Sequence, residues 1–245
     1  MSILSPAMMG IMSKPAAASG FSYSAIAGYT AHFDAAALTG YVDGDLVPTF
    51  TDKSGNGNHG TQTGTKRMTY KAGIINGLPI LRADGVNDTY ILPNIPHSSH
   101  MYIYAVIDTT SLGAGYRIFI DRAGTPSGDP AAYLGYNGGN YRPNIYSQGA
   151  TGGAIQAANA VTQRLVLLRW KFEPTSFGTR RDSEAEVTHT VTGWPQSYWV
   201  SILLGGSQQA KIDIGEIVIY HRTSVMPSAD DSAITADLKA KWGTP

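Results

Sequence analysis

The chain is 245 residues long, balances 18 basic against 18 acidic residues, and contains no cysteine. Balanced charge gives no electrostatic hold on a phosphate backbone, which excludes nucleic acid as the expected partner, and the lack of cysteine excludes disulfides, thiolate metal sites and cysteine nucleophiles. Charged residues make up only 15% against 42% hydrophobic, so the surface must be hydroxyl, amide and glycine. That composition suits an extracellular or particle-bound protein. No apolar run approaches the roughly 20 residues of a membrane span.

Residues 1–28 read as an irregular N-terminal arm. Ile3, Leu4, Met8, Met9, Ile11 and Met12 give it an apolar character, and methionine-rich segments adapt to irregular grooves, so the arm is expected to anchor the chain to a partner surface. No Lys or Arg precedes the patch, and Pro6 and Gly10 interrupt it, which argues against a cleaved secretion signal.

Residues 29–245 read as one all-β domain. Strands are expected at Tyr29–Asp34, Val47–Thr51, Met68–Tyr70, Leu78–Leu81, Tyr90–Leu92, His100–Asp108 and Tyr116–Arg122, from their β-branched and aromatic content between Gly, Asn and Asp turns. Ala131–Tyr136 and Asn140–Tyr146 form a hairpin over Asn137-Gly138-Gly139, and Gln148–Ala160 is a small-residue loop without periodicity. Thr162–Phe172 is apolar on both faces, as in a central strand covered on two sides. Arg180–Thr192 alternates, and Tyr198–Leu204 and Ile212–Tyr220 complete the set. Turn signals every 8–12 residues predict a β-sandwich.

A single helix is predicted at the C-terminus. Ser228 and Asp231 read as a capping box, Gly243 as its stop, and Ile234, Leu238 and Trp242 as the stripe that docks on a sheet. Asp237 and Lys241 are expected to pair on the exposed side.

The words FTDKSGNGNHGTQ, RMTYKAGIINGLPILRADGVNDTYILP, YIYAVID, IDIGEIVIYHR and LKAKWG resemble the laminin-G-like, concanavalin-A-like jelly-roll domains, in an order that covers most of residues 30–243. The expected fold is therefore a concanavalin A-like jelly-roll β-sandwich with a C-terminal α-helix. The first strand departs from the family pattern, with His32-Phe33 where Trp is frequent. Domains of this type are similar to sugar-binding or structural parts of secreted proteins, and they recur in bacteriophage virion proteins.

The resemblance implies three kinds of site. Relatives bind calcium at the sandwich rim, and Asp52, Ser54, Asn56 and Gly57 fit the start of a calcium loop, but Thr63 stands where its closing Glu belongs. That stretch reads as an Asx-rich turn, and His59 within it as structural. Asp84, Asn87 and Asp88, with two carboxylates, are a second, weak calcium candidate that is again favoured as a turn, so no cofactor is expected, with calcium as the alternative. His97 and His100 have no third zinc ligand. Some jelly-roll hydrolases carry ExDxxE on one strand, whereas Lys211-Ile212-Asp213-Ile214-Gly215-Glu216 puts a lysine in the nucleophile's place. Asp182, Glu184 and Glu186 share a face and read as a solvated edge. For sugar binding, an aromatic platform is offered by Trp194, Tyr198 and Trp199, and by Tyr136 and Tyr141 around the hairpin.

The expectation drawn from these features is a non-enzymatic structural or adhesion protein on a phage virion surface, in a head or tail. It would be anchored by its arm to other virion proteins, form a homo-oligomer such as a trimer, and touch cell-surface glycans. The alternatives are a secreted carbohydrate-binding module and, less favoured, a jelly-roll glycoside hydrolase.

Overall fold

The computed structural model describes residues 20–96, 99–108, 117–122, 131–137, 140–147, 153–156, 165–190, 198–202 and 211–245. For the strands within 117–156 and 198–202, and for Asn94, Pro96 and His189, only the backbone is described. The strands are β1 (Tyr29–Asp34), β2 (Thr49–Phe50), β3 (Gly60–Thr61), β4 (Thr69–Ile75), β5 (Leu78–Arg82), β6 (Tyr90–Pro96), β7 (His100–Asp108) and β8 (Arg117–Arg122). They continue with β9 (Ala131–Asn137), β10 (Asn140–Ser147), β11 (Gly153–Gln156), β12 (Leu165–Glu173), β13 (Ser176–Arg181), β14 (Val187–Thr190), β15 (Tyr198–Ile202) and β16 (Asp213–Arg222), followed by α1 (Ser228–Trp242).

These strands form two antiparallel sheets. The first runs β14-β13-β12-β7-β16-β5-β4, with β1 also paired to β16; the second runs β11-β10-β9-β8-β15-β6-β3-β2. The fold is the expected all-β sandwich with a C-terminal helix. Side chains alternate across each strand, so β7 sends Met101, Ile103, Ala105 and Ile107 inward and β12 sends Val166, Leu168, Trp170 and Phe172 beside them. Phe50 of the second sheet meets Phe33 of the first with ring centroids 5.3 Å apart, which knits the two layers.

The opposite face of the first sheet is also covered. Tyr102, Tyr104, Val106, Leu167, Val218 and Tyr220 pack there against Ile234, Leu238 and Trp242 of α1, the stripe expected from their spacing. Phe21 and Tyr23 pack on the same face, and Tyr23 donates from its hydroxyl to Asp237 at 2.7 Å. The arm residues Ile3, Leu4, Met8, Met9, Ile11 and Met12 lie outside the described residues.

Four local expectations change. The segment read as one strand, Arg180–Thr192, is two, because Asp182 takes a left-handed φ of 49° and turns the chain between β13 and β14. The loop read at Gln148–Ala160 contains β11, paired with β10. Helix α1 is capped at Pro227 without a side-chain bond, so Asp231 is not half of a capping box. Asp237 and Lys241 do not pair on the surface: Asp237 is taken by Tyr23, and Lys241 turns inward. Gly243, with φ of 70°, stops the helix as expected.

Candidate functional site

The first site grows from the outer face of β12. Alternation places Arg169, Lys171 and Glu173 on that face, each opposite a residue of β13: Arg180, Gly178 and Ser176 respectively. On the other side, β7 places Tyr104 opposite Arg169 and Tyr102 opposite Lys171. Gly178 is the gap in this row. A Cβ there would lie 2.6 Å from Glu186 Oε1 and 2.9 Å from Lys171 Cε, so the missing side chain is what lets Glu186 reach across β13 to Lys171.

The result is a cavity of about 380 Å³ bordered by β12, β13 and the start of α1. Lys171 Nζ stands between two carboxylates, 2.6 Å from Glu186 Oε1 and 3.5 Å from Glu173 Oε2. Glu186 also meets the Arg169 guanidinium. Glu173 is fixed by the Tyr102 hydroxyl at 2.7 Å and the Ser176 hydroxyl at 2.9 Å. Asp231, from α1, receives Arg169 at 2.7 Å, Arg180 at 2.8 Å and the Tyr104 hydroxyl at 2.6 Å.

Charge balance sets the protonation of these groups. Burial pushes the Glu173 carboxyl up, but Tyr102, Ser176 and Lys171 together hold it below the ordinary range. Asp231 is lowered in the same way, with burial opposed first by Arg169 and then by Tyr104 and Arg180. Burial raises Tyr102 and Tyr104 well above the ordinary phenol value, and the Asp231 carboxylate adds to the rise at Tyr104. Both phenols are therefore donors at neutral pH.

This site corrects the reading of Asp182, Glu184 and Glu186 as a solvated edge. Asp182 is buried and accepts from the Leu167 amide at 2.9 Å, and Glu184 and Glu186 line the cavity. The sequence reading had no role for Asp231 beyond capping and none for Glu173. The signal that could have found Glu173 is the alternation Arg169-Lys171-Glu173 within an otherwise apolar strand.

Asp213 and Glu216, the surviving acids of the ExDxxE comparison, do not form a shared site. Asp213 is held in a two-pronged pair by Arg82, both contacts 2.7 Å. Glu216 is 1% exposed and receives the Lys241 ammonium and the Trp242 indole N–H, each at 2.6 Å, with His32 Nε2 at 2.5 Å. Lys241 also reaches Asp34 at 2.8 Å. His32, Asp34 and Glu216 present ligand atoms within 4.8 Å of one another, but the Lys241 ammonium already bridges the two carboxylates, and the cluster locks the end of α1 to β1 and β16. Burial would lower Lys241, yet Glu216 and Asp34 outweigh it and raise the ammonium.

The loop of Asp52 is a turn. Its carboxylate accepts from the amides of His32, Ser54 and Asn58 and from the Ser54 hydroxyl, at 2.8–2.9 Å, and His59 Nδ1 accepts from the Asp52 amide at 3.0 Å. In the second cluster, Asp84 Oδ1 accepts from the amides of Val86 and Asn87, and Asp88 Oδ2 from the amide of Asp84. Burial, with the Asp84 carboxylate beside it, pushes Asp88 up to about 6.

Of the expected aromatic platform, Tyr136 of β9 and Tyr141 of β10 are partners in backbone register. Tyr198 and Trp199 lie on β15, opposite Pro96 and Ile95 of β6; their side chains, like Trp194 and His97 as a whole, lie outside the described residues. No helix among the described residues is long and apolar enough to cross a membrane.

No protein-family model and no curated protein matches the chain. Solved structures do. An arabinofuranosidase in complex with arabinofuranosyl-α-1,2-xylobiose is similar over 80% of this chain and 51% of its own, with a TM-score of 0.60 and 17% identity. A GH54 α-L-arabinofuranosidase soaked with a cyclic sulfate inhibitor is similar over 90% of this chain and 60% of its own, with a TM-score of 0.61 and 15% identity. A Trypanosoma rangeli sialidase, in complex with 2,3-difluorosialic acid, is similar over 86% of this chain and 33% of its own, with a TM-score of 0.57 and 11% identity.

This chain thus spans between a third and three fifths of those proteins. At such identities the likeness establishes a shared sandwich fold. It also overturns the expectation of a non-enzymatic protein on a phage virion surface, because these structures are of glycan-processing enzymes. The laminin-G and bacteriophage parts of the resemblance find no counterpart among them.

Proposed function

We propose that this chain is a glycan-processing β-sandwich that hydrolyses a glycosidic bond with retention of configuration, in the cavity between β12, β13 and α1. The observation that supports it is the Glu173–Glu186 pair. The two oxygens that contact Lys171 lie at most about 6 Å apart, which admits the roughly 5–5.5 Å spacing of retaining enzymes.

Glu173 is the nucleophile. Its lowered carboxyl is ionised at neutral pH, and Tyr102 and Ser176 hold it in place. Glu186 is the acid and base, and Lys171 supplies its proton. Lys171 Nζ lies 2.6 Å from Glu186 Oε1, within reach for one proton to pass between them when a sugar fills the cavity. That proton then goes to the leaving-group oxygen as the glycosidic C–O bond breaks and the anomeric carbon bonds to Glu173. In the second half, Glu186 takes a proton from water, whose oxygen attacks the anomeric carbon and releases Glu173.

Arabinofuranosides and sialosides are the first substrates to try, from the likeness to the structures above. The test measures 4-nitrophenol release from 4-nitrophenyl α-L-arabinofuranoside, a 4-nitrophenyl sialoside and the common pyranosides. Release is expected from at least one of them, reduced about 10²–10⁴-fold by Glu173→Gln and by Glu186→Gln. Lys171→Arg keeps the positive charge without a transferable proton, and it should lower kcat more than it changes KM. Release from none of the panel, or rates unchanged in Glu173→Gln, would defeat the reading.

A further inference from the structure

A second cavity lies at the other end of α1. Helix α1 is 15 residues long, about 22 Å at 1.5 Å per residue. Its first turns supply Asp231 to the charged cavity, and its last supply Lys241 to Asp34. Beside Asp34 the chain leaves a cavity of about 260 Å³, walled by Leu38, Thr39, Tyr41, Thr51 and Lys53.

The floor of this cavity is neutral. The Asp34 carboxylate accepts from the Ala36 amide at 3.0 Å, from Lys53 Nζ at 2.7 Å and from Lys241 Nζ at 2.8 Å. Both oxygens are therefore committed, and the charge is answered by ammonium groups. Because Glu216 shares Lys241, the two carboxylates and two ammonium groups of this floor sum to zero charge.

The walls differ from the floor. Among the described residues, none hydrogen-bonds the hydroxyls of Thr39, Tyr41 or Thr51, and Thr39 and Thr51 are exposed, so three donor–acceptor groups are open to a ligand. Leu38 and the Tyr41 ring add apolar surface, both packed against the core, and Tyr41 is held by stacking on Tyr70 with centroids 5.9 Å apart. One apolar wall facing several hydroxyls suits a sugar ring, which has an apolar face and a polar rim. The space falls below the roughly 300–1,000 Å³ of drug-sized sites, which limits the occupant to one ring.

We infer that this cavity is a second ligand site, and that it takes a single uncharged sugar ring. The inference does not rest on hydrolysis at Glu173 and Glu186. The two ends of one helix would then each hold a carboxylate or ammonium beside a glycan contact, Asp231 at the charged cavity and Lys241 on Asp34 at the neutral one.

Saturation-transfer NMR on the full chain tests this, with L-arabinose, D-xylose, D-galactose and D-glucose as neutral probes and N-acetylneuraminic acid as the charged comparison. Transfer is expected to at least one neutral sugar, with an apparent Kd in the millimolar range at about −4 kcal/mol. Thr39→Val/Thr51→Val should weaken it about tenfold, and Tyr41→Phe, which keeps the ring and its stacking, should weaken it in the same direction. In the Glu173→Gln/Glu186→Gln background, Thr39→Val/Thr51→Val should still remove transfer, which separates this site from the first cavity. The inference fails if no neutral probe shows transfer, if N-acetylneuraminic acid binds as well as the best neutral sugar, or if transfer persists in both wall variants while they remain folded.

Discussion

A Cβ on Gly178 would lie 2.6 Å from Glu186 Oε1, so the glycine on β13 and the glutamate ahead of β14 occupy one space between them. The gap lets Glu186 reach Lys171 and Arg169, which hold it there as ion pairs. Gly178→Ala should push Glu186 off Lys171 and Arg169 while the sheet survives. The expected outcome is a stability loss of about 1–3 kcal/mol and a drop of at least tenfold in glycosidase activity, read by thermal unfolding and initial rates on the same preparation. Unchanged activity in a folded Gly178→Ala variant would show that Glu186 is not placed by that gap.

Asp231 joins α1 to the sheet through three donors, of which Arg169 is itself buried. Truncating it leaves guanidinium groups without their anion, and breaking a pair of this kind costs about 3–5 kcal/mol. Asp231→Ala should therefore lower Tm far more than a typical surface substitution does. Because the folded carboxyl is held below the ordinary value, its stabilisation is present above about pH 4, the unfolded pKa, and is lost as pH falls through the folded one. Denaturant midpoints of wild type and Asp231→Ala, measured from neutral down to acid pH, should converge at the acid end.

The far end of α1 depends on another glycine. A Cβ on Gly215 would lie 2.9 Å from the Trp242 ring, and Trp242 donates to the buried Glu216. Gly215→Ala should cost about 1–3 kcal/mol through overpacking, and Trp242→Ala about 3–5 kcal/mol. Both effects should appear as earlier unfolding in denaturant. Equal stability of wild type and Trp242→Ala would mean that the helix end does not dock.

Asp88 predicts the opposite pH response from Asp231. Its folded pKa of about 6 exceeds the unfolded value near 4, so between these pH values the folded state binds more protons. Stability from this group thus declines as pH rises through the window, and the cost is complete above about pH 6. Asp88→Asn keeps an oxygen to accept from the Asp84 amide and removes the buried charge. It should raise Tm at about pH 7.5, by on the order of 1 kcal/mol in stability, and have no such effect near pH 4. A Tm gain that is the same at both pH values would rule out the titration as its cause.

Much of the sandwich was legible in the sequence because its strands alternate and its turns carry Gly, Asn and Asp. His100–Asp108 and Tyr29–Asp34 emerge with the expected ends, and the stripe Ile234, Leu238 and Trp242 docks as its spacing requires. The turn at Asp182 was hidden, since an aspartate tolerates a left-handed φ without announcing it as a glycine would. That one turn carries Glu186 back over β13, and so the cavity was hidden with it. Asp231 was misread for a related reason: a carboxylate in the first turn of a helix has the same spacing whether it caps the helix or faces a buried guanidinium. Lys241 is the third case, because i, i+4 spacing from Asp237 cannot reveal two buried carboxylates contributed by β1 and β16.

The most direct test of the central claim is the configuration of the sugar first released. ¹H NMR during the opening minutes of hydrolysis, on whichever aryl glycoside turns over fastest, distinguishes the two anomers before they equilibrate. The close spacing of Glu173 and Glu186 predicts that the first product keeps the anomeric configuration of the substrate. A first product of inverted configuration, or no release from any glycoside tried, would contradict the account.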